Sequence, residues 1–446
     1  MNNWKQQKLG IVADVKLSNV DKLTIENERV VRLCNYTDVY KNSFINNEKS
    51  KSFMLASCNE NEYEKFILKK GQVAITKDSE TPNDIGVSTY ISEDFEDVVL
   101  GYHLALITPD NDKLNGQFLH YWLNTKQAKR YFENNAGGSG QRCTLVLDCI
   151  KSTPLYLPKL STQAKIAKVL SDLDTKIELN NRINRELEAM AKTLYDYWFV
   201  QFDFPNEQGK PYKSSGGRMV YNTELKREIP EGWEVKRIGD FGDFKNGINY
   251  DPTLEGDIDA KIINVRNISS SNLFVSKYDL DTIRLQKSNV DNYLVTDKDI
   301  LIARSGIPGA TRMMLEFAKN TIYCGFIIRF QVNSIIEKNY LFYFLKDMEK
   351  NTTSKSGGTI MPNVNQDTLK RMLVIEPNEN VIISFNEFIN PIFNKMNAII
   401  QENQQLTELR DWLLPMLMNG QVTVKEAEER LSMAAEPGGV YKNKSK

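Results

Sequence analysis

The chain repeats itself, and this constrains its fold more than any other feature of the sequence. Trp4 is followed six residues later by Gly10 in WKQQKLG, and Trp233 is followed six later by Gly239 in WEVKRIG, an offset of 229. At the same offset RLCNYTDV, Arg32 to Val39, lies over KIINVRNI, Lys261 to Ile268. KKGQVAITKDS, Lys69 to Ser79, matches TDKDILIARSG, Thr296 to Gly306, at 227. IKSTPLYLP, Ile150 to Pro158, matches LKRMLVIEP, Leu369 to Pro377, at 219. The offset falls in one direction, as expected if the second copy carries shorter loops. Four matches in one order predict two copies of one domain, over 1–158 and 233–377.

The texture within each copy is mixed. QVAIT and DILIA are short apolar runs bounded by Gly, Asp and Lys, the pattern of buried strands. The stretches from Gly116 (GQFLHYWLNTKQAKRYFEN) and from Lys338 (KNYLFYFLKDMEKN) space their aromatic and aliphatic residues as helices do. Those stripes are read as core-facing, so each copy is expected to be an α+β domain.

A long helix is expected after each copy, over 159–200 and 378–419. From Ser161 nearly forty residues run without Pro or Gly. Alternating steps of four and three pick out Ile166, Leu170, Leu173, Ile177, Asn180, Asn184, Leu187, Ala191, Leu194 and Trp198. The second copy gives Phe385, Ile389, Ile392, Met396, Ile399, Asn403, Leu406, Arg410 and Leu413. This is a heptad seam with Asn184 and Asn403 at equivalent positions, and a polar residue there can fix register at a cost in stability. An antiparallel coiled coil is the preferred reading; the alternative is a pair of amphipathic helices, each packed on its own domain. Arg410 reads as a helix-surface or partner contact. The segment 201–232, rich in Gly, Pro and Ser, reads as a linker. The tail 420–446 holds one charged helix, VKEAEERLSM, and a Gly/Lys end expected to be disordered.

Composition excludes several classes. The five cysteines form no CxxC pair and there are only two histidines, which argues against a zinc site. No apolar run reaches a membrane span and the N-terminal stretch has no signal-peptide core, so a cytoplasmic protein with free thiols is expected. There is no GxxxxGK[ST] phosphate loop, no Asn/Asp-Pro-Pro-Tyr methyltransferase motif, and no nuclease cluster. Lys+Arg 57 against Asp+Glu 58 leaves almost no net charge, whereas stand-alone DNA binders are often strongly basic. A DNA-binding chain of this composition must cluster its cations, or rely on a partner to neutralise phosphate.

The resemblance to a known family lies at the junctions. FPNEQGKPYKSSGGRM followed by LKREIPEGWEVKRIGDF resembles the hinge into the second target-recognition domain of the specificity subunits of type I restriction–modification systems. LSTQAKIAKVLSDLDTKIELNNRI is similar to that family's central spacer helix, and LTELRDWLLPMLMNGQV to its distal one. The resemblance implies two target-recognition domains, each reading one half of a split double-stranded DNA site, with spacer helices setting the gap. It also implies two DNA-methyltransferase (modification) subunits docked around the helices, and restriction subunits joining them. S-adenosylmethionine, ATP and Mg²⁺ would all belong to those partners, with no cofactor and no catalytic residue on this chain. A purely structural interaction protein is the competing reading.

Candidate DNA contacts follow from loop chemistry. Arginine pairs with guanine edges or phosphates, and glycine lets backbone approach closely. The loop Ala303 to Arg312 offers Arg304, Ser305 and Arg312, with Lys77 aligned to Arg304 in the first copy. The glycine-rich loops before the last strand of each copy offer Ser139, Gln141 and Arg142, and Lys355 and Thr359. Arg266 and Asn267, with Tyr36 matching Val265, are further candidates.

Overall fold

The computed structural model describes residues 4–138, 142–250, 256–353 and 364–435, with backbone alone for 350–353 and 432–435. The chain divides into two compact units, Met1–Glu178 with Gln405–Lys446, and Leu179–Gln404. Each contains one α+β core and a stretch of both long helices, Leu160–Tyr195 and Glu379–Met418.

The two cores share a common arrangement of strands, the duplication seen in the sequence, and the first adds Phe44–Ile45 at the edge of its main sheet. In the first, strand Lys5–Lys8 pairs antiparallel with Pro154–Leu157. In the second, Glu234–Arg237 pairs in the same way with Leu373–Glu376. The first unit's main sheet has the order Ala13–Leu17, Leu104–Pro109, Val73–Thr76, Ser88–Ile91, Phe44–Ile45. The second unit's has Gly242–Asn246, Ile327–Val332, Asp299–Ala303, Thr311–Arg312. A three-stranded sheet accompanies each: Met54–Cys58, Arg29–Cys34 and Val98–Leu100 in one, Asp281–Leu285, Ile258–Ile263 and Thr321–Tyr323 in the other. In both, the central strand pairs antiparallel on one side and parallel on the other. Every residue of Val73–Thr76 and Asp299–Ala303 is buried, the apolar runs VAI and ILIA carrying Thr76 and Asp299 at their ends.

The stretch from Gly116 is two helices. Gly116–Leu123 is capped by the Asn115 side chain, which accepts from the Phe118 N–H. Thr125 then caps Lys126–Asn135 by accepting from the Ala128 N–H. A helix-capping threonine in mid-run is the local signal that ends the first helix.

The long helices satisfy both readings of their apolar stripe. In the first unit Ile166, Leu170 and Leu173 share one core with Leu409, Leu413 and Leu417, and also with Val15, Ile75, Ile107, Phe118 and Trp122 of the domain. Leu406 packs at its margin. In the second unit Phe385, Ile389 and Met396 are buried with Ala191, Tyr340 and Phe330, while Leu187, Leu194 and Ile392 line the edge. Helix thus packs on helix and on the domain at once. Within the second unit Asn180 meets Asn403 and Tyr195 meets Phe385, so the two stretches run antiparallel. Ile177 is half-buried outside these clusters.

Of the two asparagines in the first helix's seam, Asn180 is the one that pairs with Asn403. Asn180, only 1% exposed, donates to Asn403 Oδ1 at 2.9 Å and to Glu402 at 2.8 Å, while Asn403 donates to Asn181 Oδ1 at 2.9 Å. Asn184 instead has a buried Oδ1 that accepts no hydrogen bond. Arg410 turns inward, donating to Asp174 at 2.9 Å, and the same carboxylate accepts the Tyr121 hydroxyl at 2.6 Å. It also pairs with the exposed Asp411 at 2.9 Å, so it is engaged within the chain while part of its side chain stays at the helix surface.

The expected linker is packed structure. Phe204 stacks between Tyr212 and Trp233, at 4.7 Å and 5.0 Å between ring centroids. Asp203 accepts from both the N–H and the hydroxyl of Ser214, and Met219–Asn222 pairs with Arg227–Pro230 as a hairpin. The aromatic residues outweigh the Gly/Ser content. The tail helix, Val424–Ala435, begins with a reciprocal cap between Thr423 and Glu426. Its Gly/Lys end lies outside the described residues.

Candidate nucleic-acid interface

In the first unit two loops chosen from sequence converge. Strand Val73–Thr76 runs into Lys77, Asp78 and Ser79, and Asp78–Ser79 pairs antiparallel with Cys143–Thr144. Gly137 and Thr144 exchange backbone hydrogen bonds at 3.0 Å and 2.6 Å. Asp78 is the hub: it accepts from Thr144 Oγ1 at 2.7 Å, His103 Nδ1 at 2.6 Å and Lys77 Nζ at 2.9 Å. Burial alone would raise the Asp78 carboxyl, but those three donors outweigh it and hold it below the usual carboxylate range.

Around this hub lies a cleft of about 430 Å³ lined by Tyr36, Tyr40, Asp78, Glu80, Asp84, His103 and Arg142, among others. Tyr36 and Tyr40 stack at 5.7 Å, and the Tyr40 hydroxyl donates to Asp84 at 2.9 Å. That hydrogen bond pushes the phenol pKa up. Lys77 is 8% exposed, its ammonium on Asp78 and 4.8 Å from the Tyr102 ring, so it organises the cleft and does not project from it. Arg142 is exposed at the rim. Ser139 and Gln141 lie outside the described residues.

In the second unit the equivalent loop leaves strand Asp299–Ala303 as a tight turn. Gly306 and Gly309 have φ of +77° and +88°, which side-chain-bearing residues rarely adopt, and a Cβ on Gly306 would meet Val265 Cγ1 at 2.9 Å. The turn therefore sits against the start of helix Val265–Ser270. Arg304 is half-buried, its guanidinium donating to the Gly325 carbonyl at 3.2 Å, with Ser305 beside it. Arg266 is exposed and pairs with Asp281 at 2.5 Å.

Two candidates leave the set on burial. Asn267 is 1% exposed; it accepts from the Asn264 N–H at 2.8 Å and donates to the Asp279 carbonyl at 2.9 Å, a helix-start role. Arg312 is 5% exposed and donates to Glu349 at 2.9 Å, to the Ser271 carbonyl at 2.6 Å and to the Thr311 carbonyl at 2.7 Å. It sits on a strand, past the end of the glycine turn. Lys355 and Thr359 lie outside the described residues.

Sequence reasoning missed one position in each unit. The Lys77 N–H donates to the His103 carbonyl at 3.0 Å, and the Arg304 N–H donates to the Phe326 carbonyl at 2.8 Å. His103 and Phe326 are thus equivalents. Their signal is a glycine beside an aromatic before a buried strand, GYHL and CGFI, too short to stand out alone.

What the arrangement offers chemically is hydrogen bonding, stacking and cationic contact on rigid turns. Among the described residues no group of three or more His, Cys, Asp or Glu could hold a metal ion, and no helix is long and apolar enough to cross a membrane. The family model described as "Type I restriction modification DNA specificity domain" matches residues 1–189 and 230–408. The chain is 25% identical over 483 residues to the type I restriction enzyme HindI specificity subunit of Haemophilus influenzae, covering 95% of this chain and 100% of that one. It is 28% identical over 321 residues to the MjaIX specificity subunit of Methanocaldococcus jannaschii, 71% of each chain. The crystal structure of a type I restriction–modification S subunit from M. genitalium aligns with TM-score 0.52 at 15% identity, over 94% of this chain and 97% of that one. The two matched stretches each contain one copy of the repeated core, and the chain belongs to the type I restriction–modification DNA specificity family.

Proposed function

We propose that this chain is the non-catalytic, DNA-reading subunit of a type I restriction–modification complex, each unit reading one half of a bipartite duplex site. The observation that carries it is the repetition itself: one arrangement of strands occurs twice, and in each copy the same buried strand leads directly into Lys77 or Arg304. Duplication of a rigid scaffold with different loop chemistry suits a split, asymmetric site. Base reading falls to Arg142 and the tyrosine-walled cleft in the first unit, and to Arg304, Ser305 and Arg266 in the second. Ser139, Gln141, Lys355 and Thr359 remain with their loops as candidates.

The near-zero net charge supports dependence on partners for phosphate neutralisation. We place two modification subunits on the long helices, restriction subunits joining them, and the complex in the cytoplasm. Adenine methylation with S-adenosylmethionine, and cleavage with ATP and Mg²⁺, belong to those partners. The test is an electrophoretic shift assay on duplex DNA with and without the cognate modification subunits, followed by methylation mapping. Specific binding and a two-part methylated motif are expected from the assembled complex. A complex that methylates without sequence preference, or a chain that replaces no recognition function when exchanged, overturns the reading.

A further inference from the structure

We propose that one backbone position, occupied by His103 in the first unit and Phe326 in the second, presents a specificity-determining side chain in each, and that Phe326 selects a thymine through its 5-methyl group. This deepens the reading under Proposed function and rests on it. The equivalence is fixed by three successive backbone hydrogen bonds. Gly101 N–H donates to the Cys34 carbonyl at 2.9 Å, as Cys324 N–H does to Ile263 at 3.0 Å. Tyr102 N–H donates to Val20 at 2.7 Å, as Gly325 N–H does to Ile248 at 2.7 Å. The carbonyls of His103 and Phe326 then accept from Lys77 and Arg304. The flanking hydrogen bonds are the same, while the backbone at the position itself differs, His103 having φ of +71° and Phe326 lying outside the left-handed region, and the side chain displayed changes from imidazole to phenyl, which suits a position that varies the reading.

In the second unit backbone hydrogen bonds from Gly325 to Ile248 and from Arg304 to Phe326 hold this tip. A Cβ on Gly325 would lie 1.9 Å from Asn249 Oδ1, so the tip packs closely against that side chain. Phe326 nonetheless leaves 60% of its surface in water, although the core of its own unit buries Ile327 and Ile328 directly beside it. An exposed ring with only two side-chain torsions loses little freedom on binding. Beside it stands Arg304, whose guanidinium bonds the Gly325 carbonyl, so a cation accompanies the ring to an anionic surface. In the major groove the 5-methyl of thymine is the apolar group that phenylalanine can touch. His103 is built for the opposite chemistry. Its Nδ1 is taken by Asp78 at 2.6 Å, leaving Nε2 as the ring's remaining polar atom, so the first unit's tip offers a hydrogen bond where the second offers apolar surface.

The experiment uses the chain assembled with its modification subunits. Methylation mapping first defines the motif, and each thymine is then replaced singly by deoxyuridine, which deletes only the methyl. The wild-type complex should bind about four- to tenfold more weakly when one particular thymine, in the half-site assigned to the second unit, is replaced. Phe326→Ala should bind that duplex and its thymine parent equally, Phe326→Leu should keep part of the preference, and His103→Ala should alter only the other half-site. Three outcomes overturn the proposal: no thymine whose methyl matters, an undiminished methyl preference in Phe326→Ala, or an equal loss in that variant on every sequence. If the complex shows no two-part motif at all, the functional reading itself fails. If the motif stands and the deoxyuridine series is flat, only this inference fails.

Discussion

Replacing Arg312 with Met separates a core role from a DNA-contact role for a residue whose surrounding sequence suggests the latter. The guanidinium side chain is 6% exposed and its partner Glu349 16% exposed. The substitution keeps the side-chain volume roughly constant but removes the donor to the Ser271 and Thr311 carbonyls and the ion pair with Glu349. Breaking a buried pair by removing one member costs about 3–5 kcal/mol. Lys346, 2.8 Å from the same carboxylate, still neutralises it, which brings the expected loss to about 2–4 kcal/mol. Burial works to raise the Glu349 carboxyl, and Arg312 and Lys346 more than reverse this, holding it below its ordinary range. The stability it contributes is therefore present above the unfolded carboxyl pKa and lost as pH falls through the lower folded one. Arg312→Met should flatten that acid limb. The assay is urea unfolding followed by tryptophan fluorescence, with Trp198 and Trp233 reporting on this unit. The pair Arg312→Met with Glu349→Leu should recover most of the loss, since both buried charges are gone. A single variant of wild-type stability whose complex no longer recognises one half-site would place Arg312 on DNA and refute the burial argument.

Further outcomes follow from other elements. Burial lowers the His120 pKa from 6.5 to about 4, so the unfolded chain takes up a proton below pH 6.5 that the folded one refuses; stability should fall by about 3 kcal/mol between pH 6.5 and 4, less so in His120→Gln, as denaturation at each pH will show. Arg304→Ala should weaken recognition of one half-site by about 1–3 kcal/mol, read by binding to duplexes altered in either half. Isothermal calorimetry of the isolated chain should detect no stoichiometric S-adenosylmethionine binding. Because Asn180 meets Asn403 and Tyr195 meets Phe385, seven residues inserted after Asn184 alone leave the second helix unmatched and should lower stability. Seven inserted after both Asn184 and Ile399 should lengthen the recognised gap by up to about three base pairs, measured by methylation mapping.

Much of this architecture is legible in the sequence, for a physical reason. The matches at Trp4–Gly10 with Trp233–Gly239, and at Ile150–Pro158 with Leu369–Pro377, fall on the first and last strands of each copy, which pair with one another. Strand pairing and burial restrict those positions in both copies, so resemblance survives there. What is not legible depends on neighbours far along the chain. Arg304 and Arg312 look alike within one loop, but Glu349, on a helix well downstream, captures only the second. Asn180 and Asn184 both fit a heptad; which one pairs is decided by Asn403 on the other helix. The stretch at 201–232 has a linker's composition, yet Phe204 and Trp233 draw it into the core.

The central claim is that each unit reads its own half of a divided site. Its most direct measurement is genome-wide methylation mapping of the assembled complex carrying a replaced Gly137 to Arg142 loop, beside one carrying a replaced Ser354 to Thr359 loop. The account predicts a two-part motif in which each replacement changes one half and leaves the other intact. A replacement that alters both halves together, or a motif with no gap, would contradict it.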